Sequence, residues 1–502
     1  MLESGELGTG ARLRYPLGYW NANGLVCGIG AALMLWLSRH SLTGWLRWAA
    51  VAVLPGVLLA LYLTYSRGGL LSLVVACGCL VVLSHDRIWL LATLAIGAIG
   101  ALPAVLYVQA HFSLAENIAG QAAVDQGTTA LAPLAAGTAL ALALLAGLRR
   151  LENRGGGKTG RIVELSRDPK LLRGIALAAA LIAIAAVIAV GGRAWDQFSS
   201  PDLQLPNSPE EHFGQLSGAG RAEFWRVAVD AFDEKPVTGH GAGTYQFSWD
   251  QLRQVTTPVR DAHSLYLQAF TELGIVGGLL VLALVGLLLW TGLAAWRASG
   301  SAQRELHAAL FAVSLAFAVG AAIDWFWQIA TLGAIFFLAG GALVAARCAQ
   351  LARARAAANG DDDGRRYGFA VAGLAVAWIT ALALIGPLLV DREINASKSA
   401  AADGDLVSAV SHANTAKSVE PWAASPYVQL GLLAELQADY PTAVGRLSQA
   451  INREEGNWLL YYLRARMEHE GGENAAARAD LSEAQRLNPR EECLRGGFEG
   501  CG

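Results

Sequence analysis

The feature that most constrains this chain is a series of long windows without charge. Stretches of roughly 17–25 apolar residues are the length of a helix that crosses a bilayer. Such windows lie near 19–38, 45–64, 68–83, 88–110, 129–148, 171–192, 265–296, 306–323, 327–346 and 368–390. Only 16% of the 502 residues are charged and 54% are hydrophobic, whereas a soluble domain carries about a quarter charged residues. The deficit falls in these windows. The expected fold is therefore all-α: a polytopic helical membrane bundle of about ten spans over residues 1–390, followed by a polar region over 391–502. The span at 68–83 is short and is separated from its neighbour by TYSRGG, which predicts a tight helical hairpin.

Lysine and arginine give the orientation. The segments 149–173 and 347–367 are basic, as are the loops RHSLTGWLR, SHDR and RASGSAQR, whereas 111–129 holds no Lys or Arg. Basic loops face the cytoplasm. That assignment puts Ser66 and Arg67, a large loop over 193–264, and the C-terminal region on the outer face. DWFWQ (324–328) reads as an aromatic belt at the same interface. The net charge of -3, with no basic stripe interleaved with aromatics, argues against nucleic acid as a partner. Six cysteines form no CxxC pair, and Cys77 and Cys79 point to different helix faces, so no metal site is expected. Cys493 and Cys501 close a small disulfide loop if the tail lies outside the cytoplasm; an unpaired terminal pair is the alternative.

After Asp391 a period of 34 residues emerges. It relates Ala409, Ala443 and Ala477, and also Ala416, Ala450 and Ala484, while Pro421 and Pro489 stand two periods apart. Small residues at fixed helix positions with this period are the tetratricopeptide signature, so a small α-solenoid of about three repeats is expected, with a protein partner as its natural ligand. An unrelated alanine-rich hairpin is the alternative.

Candidate chemistry sits at span ends. Arg67, followed by Gly68 and Gly69, offers a guanidinium and an approachable backbone to an anion; it reads equally as a snorkelling arginine. Arg221 opens an amphipathic segment with Phe224, Trp225, Ala228, Ala231 and Phe232 on one face. That segment is expected to lie in the outer interface with its aromatic face in lipid. Gly239-His240-Gly241 is a turn that either presents N–H groups to a phosphate or simply reverses the chain. Asn21 and Asn23 are expected to hydrogen-bond within the bundle. His263, between Asp261 and a long apolar run, suits general-base work, with a helix-capping role as the alternative.

In order and spacing, these stretches resemble the O-antigen ligase and O-antigen polymerase family of bacterial membrane proteins. The resemblance runs from Gly18, Asn21, Ala22 and Asn23 through Ser66-Arg67-Gly68-Gly69 to Gly220-Arg221 and Trp225. It continues through Pro236, Gly239-His240-Gly241, His263-Ser264, Leu267, Glu272, Gly274 and Gly277, covering about residues 12–346. A tetratricopeptide tail is a common addition in that family. The resemblance implies transfer of a glycan from a polyprenyl-diphosphate carrier to a glycan or lipid acceptor hydroxyl, on the outer face of the cytoplasmic membrane, in cell-surface polysaccharide biosynthesis. It implies that Arg67 and Arg221 bind the diphosphate and that His263 activates the acceptor. Arg14 (or Arg12), His240 and Tyr266 are the secondary contacts, and no metal or nucleotide cofactor is expected. Relatives carry several further spans before the Gly18–Asn23 stretch, so additional N-terminal spans are expected for the working protein. Ligase and polymerase share these motifs. A glycan exporter, and an assembly protein acting through its repeats, are the readings from other classes.

Overall fold

The computed structural model describes residues 12–111, 121–154, 192, 195–196, 198, 218, 220–359 and 364–501. Most of the span expected at 171–192, the basic segment beyond residue 154 and most of 193–217 lie outside the described residues.

Every regular element among the described residues is helical. In chain order they begin with α1 (Trp20–His40), α2 (Gly44–Leu63), α3 (Arg67–Leu83), α4 (Arg87–Gln109), α5 (Gln121–Thr129) and α6 (Leu131–Arg154). Next come α7 (Arg221–Glu234), α8 (Tyr245–Leu252), α9 (Leu265–Arg297), α10 (Ser301–Gly320), α11 (Ala330–Asn359) and α12 (Gly364–Ala383). The chain ends with α13 (Ile385–Ala402), α14 (Leu406–Val419), α15 (Ser425–Leu436), α16 (Tyr440–Ile451), α17 (Trp458–Glu470) and α18 (Asn474–Leu487). Seven helical stretches among the described residues are long and apolar enough to cross a membrane, and α3 is a shorter apolar helix. The protein is therefore a multi-pass membrane protein. The window expected at 306–323 is also helical, as α10, but it stands outside those seven; its first turns carry Gln303, Arg304 and Glu305.

The described chain divides into two compact units, 1–242 with 261–354, and 243–260 with 355–502. In the first, α1 packs on α2, α3 and α10, and α2, α4 and α6 pack together. The α1–α3 crossing is a backbone contact: a Cβ on Gly69 would stand 2.7 Å from the Gly24 Cα. That closeness sets the start of α3, and so Arg67, against the start of α1.

The second close approach involves α9. Gly274 (φ 65°, ψ -169°) breaks this helix after its second turn. The turn at Gly239 (φ 67°) docks onto the break, where a Cβ on Gly239 would lie 2.3 Å from the Glu272 carbonyl oxygen. The backbone N–H groups of His240 and Gly241 donate to the carbonyls of Thr271 (3.1 Å) and Glu272 (2.8 Å), and that of Ile275 donates to Pro236 (2.8 Å). These glycine-turn N–H groups thus satisfy α9 carbonyls left open by the break rather than facing an anion.

Two expectations about aromatic residues are corrected. The apolar face of α7 meets protein: Phe224, Val227, Ala228 and Ala231 are buried, and the Thr271 hydroxyl donates to the Ala228 carbonyl (2.8 Å). The stretch Asp324–Gln328 is internal in part: Phe326 is buried and Trp325 stacks on Tyr19 at 4.5 Å, while Gln328 is exposed. In both places an aromatic side chain gains more from a protein partner at hand than from the lipid boundary.

In the second unit α13 to α18 pack each on the next. Helices α14, α16 and α18 begin at 406, 440 and 474, so the 34-residue period of the sequence is a period of helix starts. Ala409, Ala443, Ala477, Ala416, Ala450 and Ala484 are all fully buried, which lets neighbouring helices approach closely. Cys493 and Cys501 are joined by a disulfide. This unit also holds the strap 243–260. Arg253 of the strap is fully buried and donates to Asn488 Oδ1 (2.9 Å) and the Thr256 carbonyl (2.6 Å), with Glu491 at 3.5 Å. The Trp458 indole donates to Asp250 at 3.1 Å. Breaking a buried charge pair costs about 3–5 kcal/mol. Hydrogen exchange of α8 is therefore expected to accelerate by about two orders of magnitude or more in Arg253→Ala. Unchanged exchange there would show that Arg253 does not hold the strap.

Candidate active site

The site is built at the starts of α1, α3, α7 and α9 around one buried carboxylate. Asp324, in the turn between α10 and α11, is 2% exposed. It accepts from the Tyr19 hydroxyl (2.8 Å), Asn21 Nδ2 (2.6 Å), Arg221 Nη2 (3.1 Å) and the Trp325 backbone N–H (2.8 Å). Asn21 carries the network onward: its Oδ1 accepts from Ser66 Oγ (2.6 Å), and that oxygen accepts from the Gly69 N–H (2.9 Å) as the cap of α3. Asn23 donates to the carbonyls of Leu13 and Tyr15. Both asparagines therefore hydrogen-bond inside the bundle, as the sequence suggested.

Arg221 is the first residue of α7 and is held on three sides. Its Nε donates to the Ile323 carbonyl (2.7 Å), Nη1 to Gly218 (3.3 Å) and Nη2 to Asp324. A guanidinium has five N–H donors, so donors remain for a ligand. Arg67 is the first residue of α3, half-buried, and close enough to Arg221 for the two cations to repel.

His263 precedes α9 in a left-handed conformation (φ 51°) that non-glycine residues adopt at a cost of about 1–2 kcal/mol. Tyr65, which precedes the cap of α3, does the same (φ 46°). Each is followed by a serine whose side chain caps the next helix, Ser66 for α3 and Ser264 for α9. The ring of His263 lies against Phe224 at 4.8 Å between centroids, and the Leu265 N–H donates to the Ala321 carbonyl (2.8 Å). His263 Nδ1 is 3.0 Å from the Asp261 carbonyl oxygen. A carbonyl only accepts, so Nδ1 carries the proton and Nε2 of the neutral ring holds the lone pair. Burial pushes the imidazole below its ordinary pKa, Arg221 adds to that push, and Asp324 and Asp261 oppose it. The Asp261 side chain serves elsewhere, accepting from Gln268 (3.3 Å) and from Gln328.

Arg221 is thus within electrostatic reach of both Arg67 and His263. The other sequence candidates sit differently. His240 Nε2 lies 2.8 Å from the Ala231 carbonyl, joining α7 to the glycine turn. The Tyr266 hydroxyl donates to the Ala318 carbonyl (2.9 Å), pinning α9 to α10. Arg14 is exposed, and both Arg12 and Arg14 lie over the Trp20 ring at 4.9 Å. Asp324 is the residue that sequence reasoning missed. Its signal was an acidic side chain in a short turn between two apolar helices, on the same side as two arginines.

Removing the Asp324 carboxylate strands a guanidinium whose side chain is only 20% exposed, at a cost of about 3–5 kcal/mol. Asp324→Ala is expected to lower the melting temperature of the detergent-solubilised protein by several degrees, and Asp324→Asn, whose amide oxygen can still accept from Tyr19 and the Trp325 N–H, by less. Wild-type melting in both variants would remove Asp324 from the centre of the site.

Residues 126–282 match the family model described as O-antigen ligase. No curated protein matches the chain. The matched segment includes Arg221, His240 and His263, so two of the three grouped residues fall within it. The chain is therefore a multi-pass membrane protein in which residues 126–282 are similar to the O-antigen ligase family.

Proposed function

We propose that the protein transfers a glycan from a polyprenyl-diphosphate carrier to an acceptor hydroxyl on the outer face of the cytoplasmic membrane. The observation that carries this reading is that Arg221, paired with Asp324, lies within electrostatic reach of both Arg67 and the Nδ1-protonated His263. The acceptor oxygen attacks the anomeric carbon while His263 Nε2 takes its proton, and the bond to the diphosphate oxygen breaks. The departing negative charge falls to Arg67 and Arg221, which fork onto phosphate oxygens. Both arginines occupy the first turn of a helix, where unsatisfied N–H groups also favour an anion. These groups supply the charge that the step needs without a metal or nucleotide. The Cys493–Cys501 disulfide supports an extracytoplasmic tail. The 34-residue period of helix starts supports a tetratricopeptide solenoid that recruits a protein partner. Polymerisation of a lipid-linked glycan uses the same groups and differs only in the acceptor.

Alanine replacements of His263, Arg67 and Arg221 are each expected to lower glycan transfer by roughly 10²–10⁴-fold, as loss of a general base or a charge-stabilising donor does. The readout is high-molecular-weight surface polysaccharide; wild-type levels in all three variants would remove the mechanism. Deletion after Asp391 is expected to be milder than His263→Ala, and the reverse order would favour an assembly protein acting through its repeats. The pH profile carries its own sign. Because burial lowers the His263 pKa, the base stays neutral at pH 7 and activity falls only on acidification below the ordinary imidazole pKa of about 6.5. An acid limb above that value would assign the titrating group elsewhere.

A further inference from the structure

A second cluster of cations lies at the other end of the same bundle. Helix α1 carries Asn21 at its start and Arg39 and His40 in its last turn, and 21 residues of helix span about 30 Å, the thickness of the hydrocarbon core. Around Arg39, the ends of α1 and α6 and the starts of α2 and α4 enclose a cavity of ≈ 190 Å³ lined by Arg39, Arg47, Arg149, Trp89, Thr93 and Glu152. Its volume is roughly that of six water molecules in the liquid, enough for a phosphate and the first atoms of its ester substituents.

Charge in the cavity is unevenly compensated. Arg39 pairs with Asp86 (3.2 Å) and Glu152 (2.8 Å). His40 lies near Asp86 and Glu305. Arg47 and Arg149 instead donate to backbone carbonyls, Arg47 Nε to Ser41 (2.8 Å) and Arg149 Nη2 to Ser38 (3.5 Å). Arg149 also lies over the Trp48 ring at 4.6 Å and within electrostatic reach of Arg47, Arg39 and Glu152. Two guanidiniums, each with several more N–H donors, therefore face a small cavity alongside one already neutralised.

The surroundings indicate where an anion would come from. Leu42 is fully exposed and Trp45 is 69% exposed in the connection from α1 into α2. Exposed tryptophans at the end of a spanning helix sit at headgroup level, and basic pockets between spanning helices on the cytoplasmic side take lipid phosphates. We propose that the Arg39–Arg47–Arg149 cavity binds the phosphate of an acidic phospholipid from the leaflet at that end of the bundle, with Arg47 and Arg149 forking onto its oxygens. The site is separate from the one proposed for glycan transfer and stands independently of it.

The test uses the purified full chain in zwitterionic detergent, with melting temperature and lipid retention by native mass spectrometry as readouts. Phosphatidylglycerol is expected to be retained and to raise the melting temperature, and phosphatidylcholine to do neither. Arg47→Ala combined with Arg149→Ala is expected to weaken phosphatidylglycerol binding at least tenfold. The corresponding double lysine variant, which keeps the charge but loses the fork, is expected to retain part of it. Arg486→Ala, at an exposed arginine of α18, is expected to leave it unchanged. Equal retention of the two lipids, or wild-type binding by a folded double alanine variant, would overturn the proposal. Saturation by inorganic phosphate to the same effect, with no further gain from lipid, would assign the cavity to free phosphate and overturn the lipid assignment.

Discussion

A carboxylate buried in the wall of a membrane bundle is costly unless every oxygen is met by a donor. Asp324 meets that demand with Tyr19 and Asn21 from the start of α1, Arg221 from the start of α7, and its own neighbour's N–H. In satisfying itself it sets the positions of these helix starts, and through Asn21 and Ser66 it reaches the first turn of α3. It also pairs with Arg221, the cation that repels Arg67.

Rigid backbone contacts support this network from behind. The Gly24–Gly69 approach fixes where α3 begins, and the Gly239–Gly274 approach fixes where α9 breaks. The break divides α9 into a short segment that carries the His263 end and a longer apolar segment from Ile275. Left-handed backbone at Tyr65 and His263, directly before a capping serine in each case, is the kind of strain that persists where surrounding contacts over-determine it. The two sides of the bundle then differ in chemistry: one end groups arginines with a buried histidine, the other groups them with carboxylates around a small cavity.

Much of this was legible in the sequence because the bilayer imposes a length and a polarity on each span. Nine of the ten apolar windows carry helices, and the tenth lies largely outside the described residues. The 34-residue spacing of alanines likewise became a spacing of helix starts, since only small residues fit where helices cross. Arg67, Arg221 and His263 were readable as polar residues at span ends. Their partners were not, because hydrogen bonds between Tyr19 and Asp324 join positions 305 residues apart and leave no periodic trace. The aromatic residues of DWFWQ misled for a related reason: belt and buried stack have the same composition, and only the tertiary partner, here Tyr19, distinguishes them. The role of 243–260 was hidden as well, since nothing in its composition announces that Arg253 is buried against Asn488.

The most direct test of the central claim is a structure of the full chain with a polyprenyl diphosphate bound. The diphosphate oxygens are expected within about 2.7–2.9 Å of the guanidinium nitrogens of both Arg67 and Arg221, the range for charge-assisted hydrogen bonds, with His263 Nε2 facing the space beside the scissile bond. A diphosphate seated away from both arginines, with His263 turned from it, would contradict the account.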